Sequence, residues 1–501
     1  VGHLFDRASI HSWVQPAMRS YDHARDMDTY NERQLPEGDR DMLPGKSVSF
    51  EEVIAECGLG LFHVRLVLAC GLGFAAAAVE VVLGGFLIAE LREVFSESEY
   101  RLSLLPMMVG VGSVAGEFLW GYAADRCGRR VVFTVTVVVV VVFGVLSALS
   151  QGMASLICLR FVVGFGYGGN IAVDFALFSE MLPKDRRAEM LTAVSSFWPL
   201  GQVLAACIAW LTIPKYGWRT FLVVCAVPSF LTAFLRPLIP ESPRWLLLHG
   251  YEAEAAEVCR HIAELNGRSP EAVGLGPGVR LVLASEAQQL RAPDDEKTSF
   301  WKPVLLGKGL WRTTLGCLIF VSLLNFAGYA ATTFMPSFLQ MKGLENVDMY
   351  KSMVISSVSQ LPGLALAAWS ACYIGRLRPI CASQILVAIA LVSFALARSS
   401  GWLLLCSCLA SCFLEFGWAL CHLYVPEVFP TEVRAFAVGA ITGLGSLVSL
   451  LAPLLTAWML HLSSAGPTVA VFAAILALGS IAIHFLLHVE TLDRDLTDTT
   501  H

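Results

Sequence analysis

Five ionisable side chains, Glu80, Glu117, Arg160, Asp174 and Glu415, stand inside otherwise apolar stretches. If those stretches cross a bilayer, each charge costs about 2.5–3.5 kcal/mol at mid-span, and it is kept for ion pairing, proton transfer or solute binding. Glu80 lies in the run near 65–90 and Arg160 in the run near 153–178. At a helical rise of ~1.5 Å per residue, Glu80 sits roughly 15 Å and Arg160 roughly 10 Å below the same membrane face. A carboxylate and a guanidinium at those depths can meet. Such a pair either ties two helices together or switches with protonation, and spacing alone leaves both open. Asp174 falls near the opposite end of its run, where a cap or an interfacial role is expected. Glu117 lies two turns from Asp125 on one helical face and is expected to join a network in the following turn. Glu415 has no sequence partner; coupling, solute binding and a distant partner all stay open.

A second chemical signal is the decamer "GYAADRCGRR", which holds Gly121, Asp125, Arg126, Gly128, Arg129 and Arg130 between two apolar runs. Gly128 supplies a permissive backbone for the reversal. The arginines suit helix C-termini and anionic lipid, and Asp125 can accept bonds from them. Two further blocks, "SEMLPKDRRA" with Glu180 and Arg187 and "PEVFPTEVRA" with Glu427 and Arg434, share the pattern Glu-x-x-Pro-x-x-x-Arg-Ala. Positions 180 and 427 are 247 apart, and the same offset carries Gly128 and Arg129 onto Gly375 and Arg376. One offset recovering two motifs points to an internal duplication. Parallel repeats of this kind are a transporter architecture with the solute site near mid-membrane between them.

These motifs need a scaffold, and composition names it. With 56% hydrophobic and 15% charged residues, the 501-residue chain is too apolar for a water-soluble protein. Twelve apolar runs are long enough to span, near 65–90, 102–124, 131–150, 153–178, 190–213, 218–239, 310–340, 350–374, 380–398, 401–425, 435–461 and 465–488. The expected fold is an all-α polytopic membrane protein of two six-helix pseudo-repeats. Lys and Arg concentrate in the turns after even-numbered spans, which places both termini in the cytosol by the positive-inside rule. The expected layout is a cytosolic tail and juxtamembrane helix over 1–63, a six-helix bundle over 64–240 and a cytosolic linker over 241–309. A second bundle over 310–489 and a tail over 490–501 follow. Ser49 and Glu52 form a candidate capping box, "EAEAAEVCRHIAEL" (252–265) a helix, and Val137–Val142 a lipid-facing surface. Most of the fourteen cysteines lie inside spans and read as packing residues. No nucleotide-binding loop, zinc-protease motif or nucleophile elbow is present in the sequence, so no enzyme, cofactor or metal is expected.

The decamer, together with "RFVVGFGYGG" (160–169), "YGWR" (216–219) and "PESPRWLL" (240–247), resembles the major facilitator superfamily in its sugar and organic-ion porter branch. The stretch "FEEVIAECGLGLFHVRLVL" (50–68) is similar to the synaptic-vesicle-related-protein-like (SVOP-like) group. The resemblance covers roughly residues 48–490. It implies alternating access by rocking of the two halves, with the turn charges as a gating latch that breaks when the cavity faces inward. It also implies that Glu80 and Arg160 are a proton-coupling pair. Asn170, Trp198, Gln202, Asn325, Tyr329, Glu415 and His422 are the candidate cavity residues. The sequence departs from the pattern at Cys372, where the second latch would have its acid, and at Ala77, where the SVOP-like group has a second acid. The expected activity is secondary active or facilitative transport of a small polar or charged organic solute: a sugar, an organic cation or a carboxylate. Protons are the candidate coupling ion, the lipid bilayer is the other partner, and nucleic acid is not one. The alternative is a receptor or scaffold that keeps the fold without the transport cycle.

Overall fold

The computed structural model describes residues 47–95, 97–276, 279–283, 310–429 and 434–487. The expected tails, most of the linker after 283 and the side chain of Arg434 lie outside the described residues. The described residues fall into two compact units, 47–57 with 243–283 and 58–242 with 310–487.

In the smaller unit, strand β1 (Ser47–Ser49) pairs in parallel with β2 (Arg280–Val282). Helix Glu252–Leu265 buries Ala255, Ala256, Cys259, Ile262 and Ala263, a helical-period stripe in an otherwise charged segment. Asn266 donates from Nδ2 to the Cys57 carbonyl at 3.2 Å, closing the end of helix Phe50–Cys57. The Ser49 hydroxyl donates to Glu51 at 2.9 Å, so the capping box expected with Glu52 gives way to a pair within the first turn. The three-residue β pairing joins segments more than 200 positions apart and has no local sequence signal.

The larger unit is the membrane domain. Spans 1 to 4 are Leu61–Phe95, Glu99–Cys127, Arg129–Ala148 and Met153–Glu180. Spans 5 and 6 run through Arg187–Ser195 and Phe197–Leu235, with the reversal at Gly217, whose φ of 75° breaks the helix. Span 7 is Leu310–Met341, and span 8 is Asn346–Val358 continued by Gln360–Tyr373. Spans 9 and 10 are Leu377–Leu396 and Ser400–Val428. Span 11 is Arg434–Ser449 continued by Leu451–Leu462, and span 12 is Ala465–Leu486. We call the end carrying the turns after spans 2, 4, 8 and 10 the basic end, and the opposite one the far end.

Apolar side chains gain little by leaving lipid for one another, so membrane helices associate through close packing. Spans 2 and 4 achieve this through Gly112, Gly116, Gly164 and Gly168; a Cβ on each would collide with the facing helix's backbone. This explains the glycines of "GFGYGG". The valine run of span 3 is divided by its helix: Val138 and Val142 are exposed, while Val137 and Val140 are buried in the bundle. A helix cannot turn six consecutive residues to lipid.

The 247-residue offset extends into three dimensions. Gly128 and Gly375 both leave their helices with left-handed φ, 98° and 103°. Gly116 of span 2 faces the Phe165 carbonyl, and Gly363 of span 8 faces that of Cys412, its counterpart. Where Gly112 faces the Phe161 carbonyl, the second repeat has Ser359, whose hydroxyl donates to the equivalent Cys408 carbonyl at 2.8 Å.

The largest apolar contact between the halves lies at the far end. A single apolar cluster joins both bundles through the far-end halves of their spans, from Phe86, Leu91 and Phe221 to Phe334, Phe338 and Phe472. Smaller apolar clusters lie within single bundles, one with Phe320, Tyr424 and Ile441 and the other with Ala77, Val109 and Val163, while Gly443 of span 11 comes close to the Phe118 ring of span 2, 3.8 Å from its Cβ position.

Candidate functional site

The deepest charges sit in the first bundle. Arg160 of span 4 donates from Nη1 to Glu80 Oε2 of span 1 at 2.9 Å, with both side chains 2% exposed. Its remaining nitrogens reach span 3: Nε donates to Ser147 Oγ at 3.1 Å and Nη2 to the Gly144 carbonyl at 3.3 Å. The guanidinium is thus held on two sides apart from the carboxylate, and Glu80 can change its charge without leaving Arg160 unbound.

A second buried pair lies nearer the basic end. Arg236, which continues span 6 into the 3-10 turn Arg236–Leu238, donates to Asp174 Oδ1 at 3.0 Å, with side chains 2% and 5% exposed. Asp174 is therefore not the interfacial or capping residue expected from its position. Span 1 passes at Gly73, where a Cβ would lie 2.7 Å from Asp174 Oδ2, and the absence of a side chain there lets the helices enclose the charge. Sequence reasoning misses Arg236; the signal that could have found it is an arginine within the run assigned to span 6. Glu117 also departs from expectation: it accepts from Ser113 Oγ, one turn away, at 3.1 Å rather than joining the turn network.

The turn charges form intrabundle clasps. Arg129 donates through Nε and Nη2 to both oxygens of Glu180, at 3.1 and 2.9 Å. Arg376 grips Glu427 in the same two-pronged way, at 3.1 and 3.2 Å. Asp125 also meets Arg129, at 3.0 Å, but is 67% exposed. Arg126 lies over the Tyr122 ring at 4.5 Å, and Arg187 reaches back to the Leu182 carbonyl at 3.5 Å. Among the described residues, nothing lies within 4 Å of where a Cβ on Gly121 would be. The backbone N–H groups of Arg129 and Arg130 open span 3 and donate to the carboxylate of Glu241, from "PESPRWLL", at 3.0 and 3.1 Å. Burial raises the Glu241 carboxyl above the usual carboxylate range, and these backbone bonds, with that from Ser242, offset part of the shift.

The candidate cavity residues separate into three groups. Asn170 lies inside the first bundle, lining a small cavity with Ala76, Ala77, Val140, Tyr167 and Ser229. Gln202 and Tyr329 are struts between bundles: Gln360 Nε2 donates to Gln202 Oε1 at 2.7 Å, and Tyr329 donates to the Pro106 carbonyl at 2.7 Å. Asn325 donates to the Val321 carbonyl of its own helix, and Trp198 packs against Phe74. Glu415, Trp418 and His422 form the third group, on a face of span 10 turned away from the exposed far-end stripe Trp402, Leu405 and Leu409. His422 is nonetheless exposed, and the Trp418 indole lies 3.4 Å from the Cβ position of Gly328 on span 7. Glu415 is buried and has no hydrogen-bond or ion-pair partner among the described residues.

The profile of the family described as "Sugar (and other) transporter" matches residues 69–500. The chain is 27% identical over 461 residues to the Synaptic vesicle 2-related protein of Xenopus laevis, covering 90% of this chain and 82% of that protein. It is 29% identical over 496 residues to Organic cation/carnitine transporter 7 of Arabidopsis thaliana, covering 90% and 96% respectively. Among solved structures, the partially occluded inward open xylose transporter XylE of E. coli shares the fold with a TM-score of 0.71 at 19% identity. The match covers 87% of this chain and 100% of that one. With two six-helix repeats, a multi-pass apolar body and this family match, the chain belongs to the sugar (and other) transporter family of the major facilitator superfamily and is a membrane transporter, not an enzyme.

Proposed function

We propose that the chain is a proton-coupled, alternating-access transporter of a small organic solute bearing a cationic group, with its basic end in the cytosol. The observation that carries the coupling is the buried Glu80–Arg160 pair set against the second repeat, where the equivalent positions are Ala327 and Ser407. Those positions pack without charge in one bundle, so the fold does not require the pair in the other. Protonating Glu80 removes the attraction that holds spans 1 and 4 together at that depth, while Arg160 keeps Ser147 and the Gly144 carbonyl. That change in contact energy is the differential interaction a two-state rocking equilibrium needs. In the arrangement described, one apolar cluster closes the far end across both bundles, and this supports a state whose solute path faces the cytosol.

The solute class follows from span 10. Glu415, without a partner among the described residues, stands one helical turn from Trp418 on the same face of span 10, and a carboxylate with a nearby ring face suits an ammonium group. The printed name of the Arabidopsis relative, an organic cation and carnitine transporter, agrees with that chemistry. Uptake of carnitine, tetraethylammonium, benzoate and xylose into proteoliposomes, with and without a proton gradient, tests the reading. Gradient-stimulated uptake of a cationic solute is the expected result. Failure of the whole panel would favour a receptor that retains the fold.

A further inference from the structure

Glu80 is sealed from the far end by Val82, Leu83 and Phe86, all in the apolar cluster that joins the bundles. Its carboxylate is also hidden from water at the basic end, with the side chain 2% exposed. Proton coupling therefore needs an internal route, and one stripe of span 4 supplies its parts. Arg160, Val163, Tyr167, Asn170 and Asp174 recur at spacings of three and four and are all buried. They face span 1 at Glu80, Ala77 and Gly73, a matching stripe. Between the two ion pairs lies the cavity lined by Ala77, Tyr167, Asn170, Ser229 and Thr232, with room on the scale of about one water molecule. Asn170, which lines this cavity, is 5% exposed, and its Oδ1 has no hydrogen-bond partner among the described residues. An unsatisfied buried carbonyl beside such a space is where a water binds.

The second repeat serves as an internal control. Applying the 247 offset, Asp174 corresponds to Cys421, Arg236 to Ile483, Asn170 to Gly417 and Tyr167 to Leu414. Cys421, Leu414 and Ile483 are buried there in ordinary apolar packing. The helices assemble without these polar groups, so the first bundle's polar column is an addition to the fold rather than a condition of it.

We propose that Asp174 is the inner station of a proton relay that serves Glu80, with Asn170 holding the bridging water in the cavity between them. This rests on the coupling role proposed for Glu80. The protonated Asp174 carboxyl gives its proton to the water held at Asn170, each water in the chain passes a proton to the next, and the last delivers one to the Glu80 carboxylate. Asp174, left as a carboxylate paired to Arg236, is reprotonated from the basic end. The return sequence runs the same transfers backward. Along span 1, Gly73 to Glu80 spans ~10 Å, about twice the reach of a single hydrogen-bonded water, so the route takes a short chain of waters in which the one at Asn170 is the fixed link. The titratable and charged groups facing Asp174 are Arg236 from span 6 and the Cys70 thiol from span 1. Span 3 contributes the uncharged Phe133 ring beneath Arg236.

The test is time-resolved infrared spectroscopy of the carboxyl C=O stretch after a pH jump, on the full-length protein in lipid nanodiscs. The band missing in Glu80→Gln is assigned to Glu80. Because Asp174→Asn alone would strand a buried guanidinium, the relay variant is the double substitution Asp174→Cys with Arg236→Ile, which installs the second repeat's residues. Asn170→Leu, which leaves both ion pairs in place, is the independent variant. The proposal expects the Glu80 band to rise about a hundredfold more slowly in both variants with its final amplitude retained. Wild-type rates in both would overturn the relay while leaving the coupling pair intact. A wild-type protein with no pH-dependent band that Glu80→Gln removes would overturn the coupling reading itself, and the relay with it.

Discussion

Arg129 and Glu180 meet in a two-pronged ion pair, and Arg376 and Glu427 repeat it at the same sequence separation of 51 residues. Each clasp ties the turn opening an odd-numbered span to the end of the span that follows it in the bundle. Both are three-quarters buried or more, with side-chain exposures of 15–22%. A parallel planar fork is the geometry in which an arginine–carboxylate pair is strongest. Double-mutant cycles using Arg129→Ala with Glu180→Ala, and Arg376→Ala with Glu427→Ala, should each give a coupling of about 1–3 kcal/mol in unfolding of the detergent-solubilised protein. A coupling near zero at both would mean the clasps are incidental. Lysine at either arginine should restore only part of the loss, because it cannot form the fork.

The Glu80–Arg160 pair predicts a marked asymmetry between single and paired substitutions. Glu80→Ala leaves a guanidinium in the membrane interior and should destabilise the first bundle by about 3–5 kcal/mol. The pair of changes Glu80→Ala and Arg160→Ser, which copies Ala327 and Ser407 of the second repeat, should recover most of that loss. Thermal unfolding of wild type, the single variant and the double variant decides it; a double variant no more stable than the single would mean that the second repeat does not report on the first.

Glu241 carries a pH dependence with a definite sign. Burial makes the folded protein bind the Glu241 proton more tightly than the unfolded chain does, despite three backbone N–H groups favouring the carboxylate. Its contribution is therefore fully present below the ordinary glutamate value of about 4.3, and is lost as pH rises through the raised folded-state value. Glu241→Gln should flatten this part of the stability–pH curve in thermal scans. A curve with the same slope in wild type and variant would assign the titration to another group.

The cytosol-facing state proposed above predicts opposite chemical accessibility at the two ends. Phe86 and Tyr350 pack across the bundles with ring centroids 5.8 Å apart, so cysteines placed there should be bridged by a bifunctional thiol reagent about as long as the two lost rings, halting transport. A cysteine at Gly121, where a Cβ meets nothing within 4 Å among the described residues, should label freely from the basic side. Slow labelling at that position, with no cross-link at the far end, would indicate a resting population of the opposite state.

Much of this architecture is legible in the sequence because the bilayer imposes it. Runs of apolar residues locate the spans within a few positions, since a helix must satisfy its backbone internally to cross lipid. The 247 offset locates the repeat, and basic turns distinguish the ends. Tertiary partners are less visible. Depth along a helix matches Glu80 with Arg160, but the same reasoning puts Asp174 at an interface, because distance from a helix end says nothing about which neighbours cover it. Gly73 and Arg236 supply that cover from spans 1 and 6, and no local periodicity links them to Asp174. The helical face of Glu117 points to the turn network, yet Ser113, one turn away, offers a nearer partner. Gln202 and Gln360 meet across the bundles through the orientation of the two halves, a relation no single span encodes.

The most direct measurement of the central claim compares wild type and Glu80→Gln in proteoliposomes loaded with a transported organic cation. Wild type should show proton-gradient-driven uptake as well as solute exchange. Glu80→Gln, uncharged at every pH, should lose gradient-driven accumulation and its pH dependence while exchange continues. Accumulation in Glu80→Gln with the wild-type pH dependence would contradict the account, and would remove the buried pair from the transport cycle.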